Sequence, residues 1–450
     1  MSRFLACWKQ LTARSLVSNS TPFHSGWKVQ GAYSGVDPTA GSLHVGNLVA
    51  LMPLIHLYLH GIPVYSLIGD ATVQLGDPSG RTTGRHQLDQ VIRDRNSQAI
   101  EKQVFSLSEK VLAYAEDCQY KPEVAPASLR TWNIVHNLDW YNNMNLLNFL
   151  NEVGRHVRVN QMLARDSVTS RLHSSSGISF SELTYQLLQA YDFLHLYKNQ
   201  GINLQIGGSD QWGNITAGTD LVRRLFPKAV SSKSPVYALT TPLLTTANGQ
   251  KFGKSAGNAI WLDPSLTDSY SLYQSFISLP DDTASKYLDM LTLLSSENLE
   301  SIKSSHSQDC SSRLIQHTLA FNIIHMVHGE ENAKLARLQT ELLHGSQPAP
   351  SGFFVASVNS TLPAVDQLKG IFKASNCYYK VDPSLSPMPL SRLLRELGIY
   401  ASRKEAAEHI RSGAISLAHE TILDPNAILV RNDLVVLRIG GRRALILDFT

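Results

Sequence analysis

Two stretches of this chain carry residue types suited to holding a polyanion. The first, Asp37-Pro38-Thr39-Ala40-Gly41-Ser42-Leu43-His44-Val45-Gly46-Asn47-Leu48, joins a strand-like run to a helix predicted to start near Leu43. A helix start presents unpaired N–H groups and the positive end of its dipole, and small residues before it let a phosphate approach closely. His44 and Asn47, three apart on the first turn, would point to one ligand. The second stretch, Lys251-Phe252-Gly253-Lys254-Ser255, lies between Asn248 and Asn258 and predicts a mobile loop bearing two ammonium groups and a hydroxyl. Such a loop can close over a polyphosphate and place charge where it develops in phosphoryl or nucleotidyl transfer. Taken singly, these motifs also fit an ordinary capped helix turn and a solvated basic loop.

Other residues narrow the field by exclusion. The chain has 450 residues, 43% hydrophobic and 17% charged, with a net charge of +3, which is globular and leaves a polyanionic partner open without requiring one. Cys7, Cys118, Cys310 and Cys377 stand far apart, so no CxxC pair offers a zinc site and no disulfide framework is implied. No metal ligand set is expected. The most apolar stretch, Leu48 to Ile68, contains His56, His60, Gly61 and Pro63 and reads as a buried helix and strand, not a membrane insertion.

The elements that must position these motifs follow from periodicity. A strand ending at Val36, a helix from near Leu43 and an apolar run Val64 to Ile68 give the strand, helix, strand order of a parallel nucleotide-binding sheet. Helical patterns occupy about 87–118, 142–165 and 180–198, and Asn203 to Ile206 predicts a strand capped by Gly207-Gly208. The fold class is therefore α/β with a Rossmann-like parallel-sheet domain over 30–268. An all-helical block follows over 269–344, then a Ser-, Pro- and Gly-rich linker over 345–388. Over 389–450, Ser402-x-x-Glu405 opens a helix and short apolar runs predict strands, an α+β unit. The first 36 residues contain Arg3, Lys9, Arg14 and Lys28 but no acid, and Phe4, Leu5, Trp8 and Leu11 share a helical side. That is a transit-peptide composition, and residues 1–29 are expected to be one.

The motifs occur in company. Tyr33-x-Gly35-x-Asp37-Pro38-Thr39-Ala40, Gly76-Asp77-Pro78-Ser79-Gly80-Arg81, Ile178 to Glu182, Tyr185 to Asp192 and Gln205 to Asn214 accompany HVGN and KFGKS in order. Together they resemble the tyrosyl-tRNA synthetases of bacterial and organellar type, class I enzymes whose signatures are HIGH and KMSKS. The resemblance covers 30–450, since the tail is similar to the S4 RNA-binding domain. It implies tyrosine activation with ATP, Mg2+ carried with the nucleotide, transfer to tRNA(Tyr) in the mitochondrial matrix, and a homodimer built on the insertion near 133–165.

Residue by residue, the resemblance assigns Thr39, His44, Lys251, Lys254 and Ser255 to the phosphates, while Asn47 replaces the second histidine of the motif and offers an amide donor on the ribose side. Asp210 would bind the ribose and Asp37 would lie on the ATP side. Tyr33 and Asp192 would bind the substrate phenol, Asp77, Tyr185 and Gln189 would surround its ammonium group, and Gln205 would complete the pocket. Without the family, Tyr185, Gln189 and Asp192 fit a partly exposed polar helix face. The alternatives are a tryptophanyl-tRNA synthetase, and a non-catalytic or bifunctional RNA-binding protein on the same fold, such as an intron-folding factor. The family also carries helix and loop ahead of the Tyr33 strand, for which the expected transit peptide leaves little chain.

Overall fold

The structure, a computed structural model, describes residues 3–22, 27–79, 87–120, 130–172, 177–227, 235–245, 254–255, 258–344 and, toward the carboxyl end, 369–370, 372–373, 377–382, 385, 387–417, 420–428, 434–440 and 443–449. Its centre is a six-stranded sheet of β1 (Asn19–Ser20), β2 (Ala32–Val36), β3 (Val64–Ile68), β4 (Trp132–His136), β5 (Leu204–Gly208) and β6 (Tyr237–Thr241), in the order β1-β6-β5-β2-β3-β4. All pairs are parallel except β1 with β6. Around the sheet come α1 (Arg3–Ala13), α2 (Val45–Leu59), α3 (Gln90–Asp117), the short α4 (Leu138–Tyr141), α5 (Leu146–Glu152), α6 (Val159–Leu163) and α7 (Asp166–Leu172), then α8 (Phe180–Gln200) and α9 (Trp212–Leu225).

From β2 the chain passes through α2 to β3 on one side, whereas β5 and β6 lie on the other. That reversal makes a crevice at the carboxyl ends of β2 and β5, where open parallel sheets take their ligands. Both strands are buried runs, with Ala32, Tyr33, Leu204 and Ile206 at the core. The Rossmann-like expectation therefore holds.

In α1, Phe4, Cys7 and Leu11 are buried; Phe4 stacks on Trp27, which stacks on Tyr237 of β6 with ring centroids 3.9 Å apart. Residues 19–20 pair with β6 as an edge strand. Over the described residues 3–22 and 27–29, the segment expected as a transit peptide packs against the sheet, the apolar stripe of its helix meeting Trp27 and, through it, Tyr237. It places the helix Arg3–Ala13 ahead of the Tyr33 strand.

Arg14 fixes this segment. Its buried guanidinium donates to the carbonyls of Asp289 at 3.1 Å and Thr292 at 2.7 Å, and also to Leu294, at the end of the helix Asp281–Leu291. Those carbonyls have no intrahelical donors. Arg14→Ala is expected to lower stability by about 3 kcal/mol, because buried carbonyls lose a charged donor. A shift of the denaturant midpoint measures it; an unchanged midpoint would mean that water replaces the guanidinium.

After β6 come the hairpin β7 (Lys254–Ser255) and β8 (Asn258–Ala259), then α10 (Ser269–Ile277), α11 (Asp281–Leu291), α12 (Ser296–Gln308), α13 (Leu314–His328) and α14 (Glu330–His344). The chain divides into two compact units, 1–266 with 279–329, and 267–278 with 330–450. The expected helical block over 269–344 is therefore split. In the first unit α13 is held to α3, with Tyr114 Oη donating to Asn322 Oδ1 at 2.9 Å. In the second, Gln274 of α10 donates to Thr340 of α14 at 2.8 Å, and Tyr270 and Leu343 share a cluster with Phe372, Cys377 and Val436.

The second unit continues with β9 (Tyr378–Lys380), α15 (Leu390–Glu396), α16 (Arg403–Arg411), β10 (Ile415–Leu417), β11 (Glu420–Thr421), β12 (Leu434–Ile439) and β13 (Arg443–Asp448). Its sheet runs β11-β10-β12-β13-β9. The linker expected over 345–388 holds a strand at its end, since β9 pairs in parallel with β13 and Val381 packs beside Leu447. Residues 345–368 lie outside the described residues.

Candidate functional site

Beneath the crevice lie several buried polar side chains. Tyr33 on β2 stands in register with Gln205 on β5, and Gln189 and Asp192 come from α8. Tyr33, Asp192 and Gln205 are each at most 3% exposed. Asp192 Oδ1 accepts from Trp140 Nε1 at 2.9 Å and Oδ2 from Asn137 Nδ2 at 3.2 Å. Burial pushes its carboxyl up to about 7, opposed by these donated hydrogen bonds. Burial, then the Asp192 charge, holds the Tyr33 hydroxyl well above its ordinary range, so it remains a protonated donor. The Tyr33 hydroxyl, Gln189 Oε1 and Gln205 Oε1 are buried without a hydrogen-bond partner among the described residues. Native interiors rarely leave such groups unpaired, so these three, with Tyr33 close to the Asp192 charge, mark a place for a polar ligand.

Asn137 and Trp140, which lie just past β4, were not picked out from sequence. Asn137 also accepts from the Ala71 N–H at 2.8 Å and so ties the ends of β3 and β4 to Asp192. Their spacing of three after a strand was the only local signal.

Farther out, Tyr185 Oη donates to Asp37 Oδ2 at 2.9 Å, and Thr72 Oγ1 donates to Asp37 Oδ1 at 2.7 Å. Tyr185, expected near the substrate ammonium group, and Asp37, expected on the ATP side, thus share a hydrogen bond. Gly69 makes it possible: a Cβ there would lie 2.1 Å from Asp37 Oδ1. Asp77 is engaged elsewhere, its Oδ2 accepting from Gln211 Nε2 at 2.8 Å and its Oδ1 from the Ser79 N–H at 3.0 Å. This joins it to the turn that carries Asp210. That turn packs closely, since a Cβ on Gly208 would fall 2.8 Å from Asp210 Oδ1.

His44 and Asn47 form a reciprocal cap at the start of α2. His44 Nδ1 accepts from the Asn47 N–H at 3.2 Å, and Asn47 Oδ1 accepts from the His44 N–H at 3.0 Å. An accepting Nδ1 assigns the proton to Nε2, making His44 a neutral donor there, and Asn47 keeps its NH2 as the donating end. A histidine at position 47 could not close the cap with an amide oxygen, which gives the Asn a structural reason. Thr39 is exposed on the loop, where its N–H bonds the Asp37 carbonyl at 2.7 Å.

The second motif reaches the first through the backbone. Past β7 and β8, Ile260 accepts from the Val45 N–H at 3.1 Å, and Leu262 donates to Leu43 at 2.8 Å, bridging Trp261 to His44. Lys254 and Ser255 therefore lie on a hairpin whose outgoing strand is stitched to the start of α2. Lys251 lies outside the described residues.

A parallel sheet with a capped, small-residue helix entry at its switch point, and a lysine hairpin tied to that entry, defines the class of class I aminoacyl-tRNA synthetases. The family model described as class I tRNA synthetases for tryptophan and tyrosine matches residues 28–345, and the chain belongs to that family. It is 58% identical over 450 residues, the whole of both chains, to the mitochondrial tyrosine–tRNA ligase of Schizosaccharomyces pombe. It is 37% identical to that of Saccharomyces cerevisiae over 422 residues, covering 92% of this chain and 82% of that one. Among solved structures, a C-terminally truncated mitochondrial tyrosyl-tRNA synthetase of Aspergillus nidulans is similar at 35% identity and a TM-score of 0.67, covering 75% of this chain and 94% of that one.

Proposed function

We propose that the chain activates L-tyrosine with ATP, giving tyrosyl-adenylate and pyrophosphate, and transfers the tyrosyl group to tRNA(Tyr) in the mitochondrial matrix. One observation carries the choice of amino acid: a buried carboxylate acceptor, Asp192, lies in the same pocket as the unpartnered hydroxyl of Tyr33. A phenol both donates to the first and accepts from the second, whereas an indole N–H can only donate. Tryptophan would leave Tyr33 unpaired. Tyrosine-dependent pyrophosphate exchange by the purified chain, run beside tryptophan, tests this; exchange with tryptophan alone, or with neither, overturns it.

Activation needs no general base, because the substrate carboxylate is already ionised. It needs two anions held in line and a stabilised pyrophosphate. Tyr185 and Gln189 would face the amino group, with Asp77 holding the Gln211 turn beneath it. Asp210 and Asn47 would take the ribose, and Thr39, His44, Lys251, Lys254 and Ser255 the phosphates. Mg2+ would enter on ATP, since Asp37 and Asp77 already accept from Tyr185, Thr72, Gln211 and Ser79. A phosphate-borne ion with few protein ligands suits that arrangement.

The Gly46 position follows from the cap: a Cβ there would lie 2.9 Å from His44 Cε1. Gly46→Ala is expected to swing the imidazole and slow pyrophosphate exchange about 100-fold, as misplacements near 1 Å do, with little change in tyrosine KM. A normal rate would mean that His44 does not serve the phosphates.

A homodimer is supported by exposed Leu146, Leu147, Leu150 and Val159 on α5 and α6, within the expected insertion. The S4-like reading of the tail rests on α15 and α16 packed with a small sheet and on exposed Arg392, Arg395, Arg403, Lys404 and Arg411. Arg395 pairs with Glu396 at 2.6 Å, so Lys404 and Arg411 are the better probes. Replacing both by Glu should leave exchange intact and weaken tRNA binding, lowering the salt slope by roughly one unit per lost phosphate contact. Equal slopes would remove the strip from the RNA interface.

A further inference from the structure

Away from the crevice, within the first unit, three side chains of different chemistry converge. Asp281 opens α11, His306 lies in the last turn of α12, and Cys310 begins the short 3-10 turn Cys310–Ser312. Each offers one ligand atom, and the three atoms lie within 4.8 Å of one another. His306 is 4% exposed, yet neither ring nitrogen has a hydrogen-bond partner among the described residues. Its Nε2 stands 3.5 Å from Asp281 Oδ1. Buried imidazoles are ordinarily bonded at one nitrogen at least, so His306 lacks a partner that the protein does not supply.

We propose that Asp281, His306 and Cys310 form a site for a borderline-soft divalent cation of the zinc type. Two N or O ligands of a tetrahedral zinc, each at 2.0–2.2 Å, stand about 3.4 Å apart, which is the Asp281 to His306 spacing. Cys310 is exposed, so its side chain is free to turn toward the ion. The mixed O, N and S donors favour zinc over magnesium or calcium, which take oxygen alone. Gln316 supports the carboxylate, donating through Nε2 to Asp281 Oδ1 at 2.6 Å and to the Leu279 carbonyl at 3.2 Å. Such outer hydrogen bonds orient metal ligands. Binding releases the Cys310 thiol proton to solvent, and water completes the coordination.

The ion would join the start of α11, the end of α12 and the turn before α13. Helix α11 also carries Tyr287, whose hydroxyl donates to the Thr245 carbonyl at 2.7 Å, at the base of the stretch leading to Lys251 and Lys254. The site thus sits on the helix that holds Thr245, which precedes Lys251 and Lys254 in the chain. It was not legible as a motif, because Asp281 is distant in sequence and no second cysteine is paired with Cys310.

Cobalt reads the site without reference to activity. The full-length chain, stripped by chelator and titrated with Co2+, should develop a thiolate-to-cobalt charge-transfer band at one ion per chain, discharged by Zn2+. Cys310→Ser should abolish the band and weaken Co2+ binding at least ~10-fold. The variant should fold normally because the residue is exposed, and Cys7, Cys118 and Cys377 are buried and are poor substitutes. Zn2+ should raise the thermal midpoint of the unaltered chain and not that of Cys310→Ser. No band, a band that survives in Cys310→Ser, or an equal midpoint shift in both proteins overturns the site.

Discussion

A chain carrying both Tyr33→Phe and Asp192→Asn is expected to activate phenylalanine and tyrosine at comparable efficiency. Discrimination of about 10⁵ between these substrates is the value established for tyrosyl-tRNA synthetases as a family, not one obtained from this chain. The cause is local. Phenylalanine in the unaltered pocket leaves Asp192 and the Tyr33 hydroxyl without a partner, and buried unpaired groups are costly. In the double variant tyrosine gains nothing over phenylalanine, and an Asn at 192 sets an NH2 against the donors Asn137 and Trp140. An unaltered ratio of kcat/KM would place the phenol elsewhere.

The same carboxyl sets a pH dependence. With Asp192 pushed up to about 7, its proton competes with the phenol for the acceptor, so tyrosine affinity should fall as pH drops below 7. In Asp192→Asn that slope should vanish. The stability effect has the opposite sense. The folded carboxyl keeps its proton to higher pH than the unfolded one at 3.8, so ionising it opposes folding, and the ligand-free chain should lose stability as pH rises through that interval.

Much of this site was readable because its residues sit in local blocks whose geometry is local. Tyr33 and Asp37 follow one strand, Gln189 and Asp192 share a helix turn, and His44 and Asn47 form one cap. Contacts between blocks were not readable. That Tyr185 meets Asp37, that Asp77 takes Gln211, and that Asn137 and Trp140 hold Asp192 depend on which strand ends lie side by side, information carried by the sheet order. The packing of the amino-terminal helix was not readable for another reason: periodicity reports an apolar stripe but not what lies against it, and here Phe4 stacks on Trp27, which stacks on Tyr237. Likewise β9 is three residues long, too short to stand out in a Ser- and Pro-rich stretch, and is held by its partner strand β13.

Lys254→Ala should slow adenylate formation by about 10²–10³, or roughly 3–4 kcal/mol, while tyrosine affinity stays nearly unchanged. The separation of effects follows from where the two functions are built. Tyr33, Gln205 and Asp192 lie on two strands and a helix of the sheet layer, whereas Lys254 belongs to a hairpin outside it. The hairpin is joined to the phosphate end by the pairing of 260–262 with 43–45, so its stem is fixed at the start of α2 and its register with His44 is set before ATP binds. An ammonium on such an arm can meet the charge that builds on the departing pyrophosphate without bearing on tyrosine. An interaction gained only in the transition state lowers kcat and kcat/KM together when removed. Pre-steady-state measurement of adenylate formation at saturating tyrosine separates the cases: an unchanged rate with weaker tyrosine binding would assign Lys254 to the amino-acid pocket and end the loop reading.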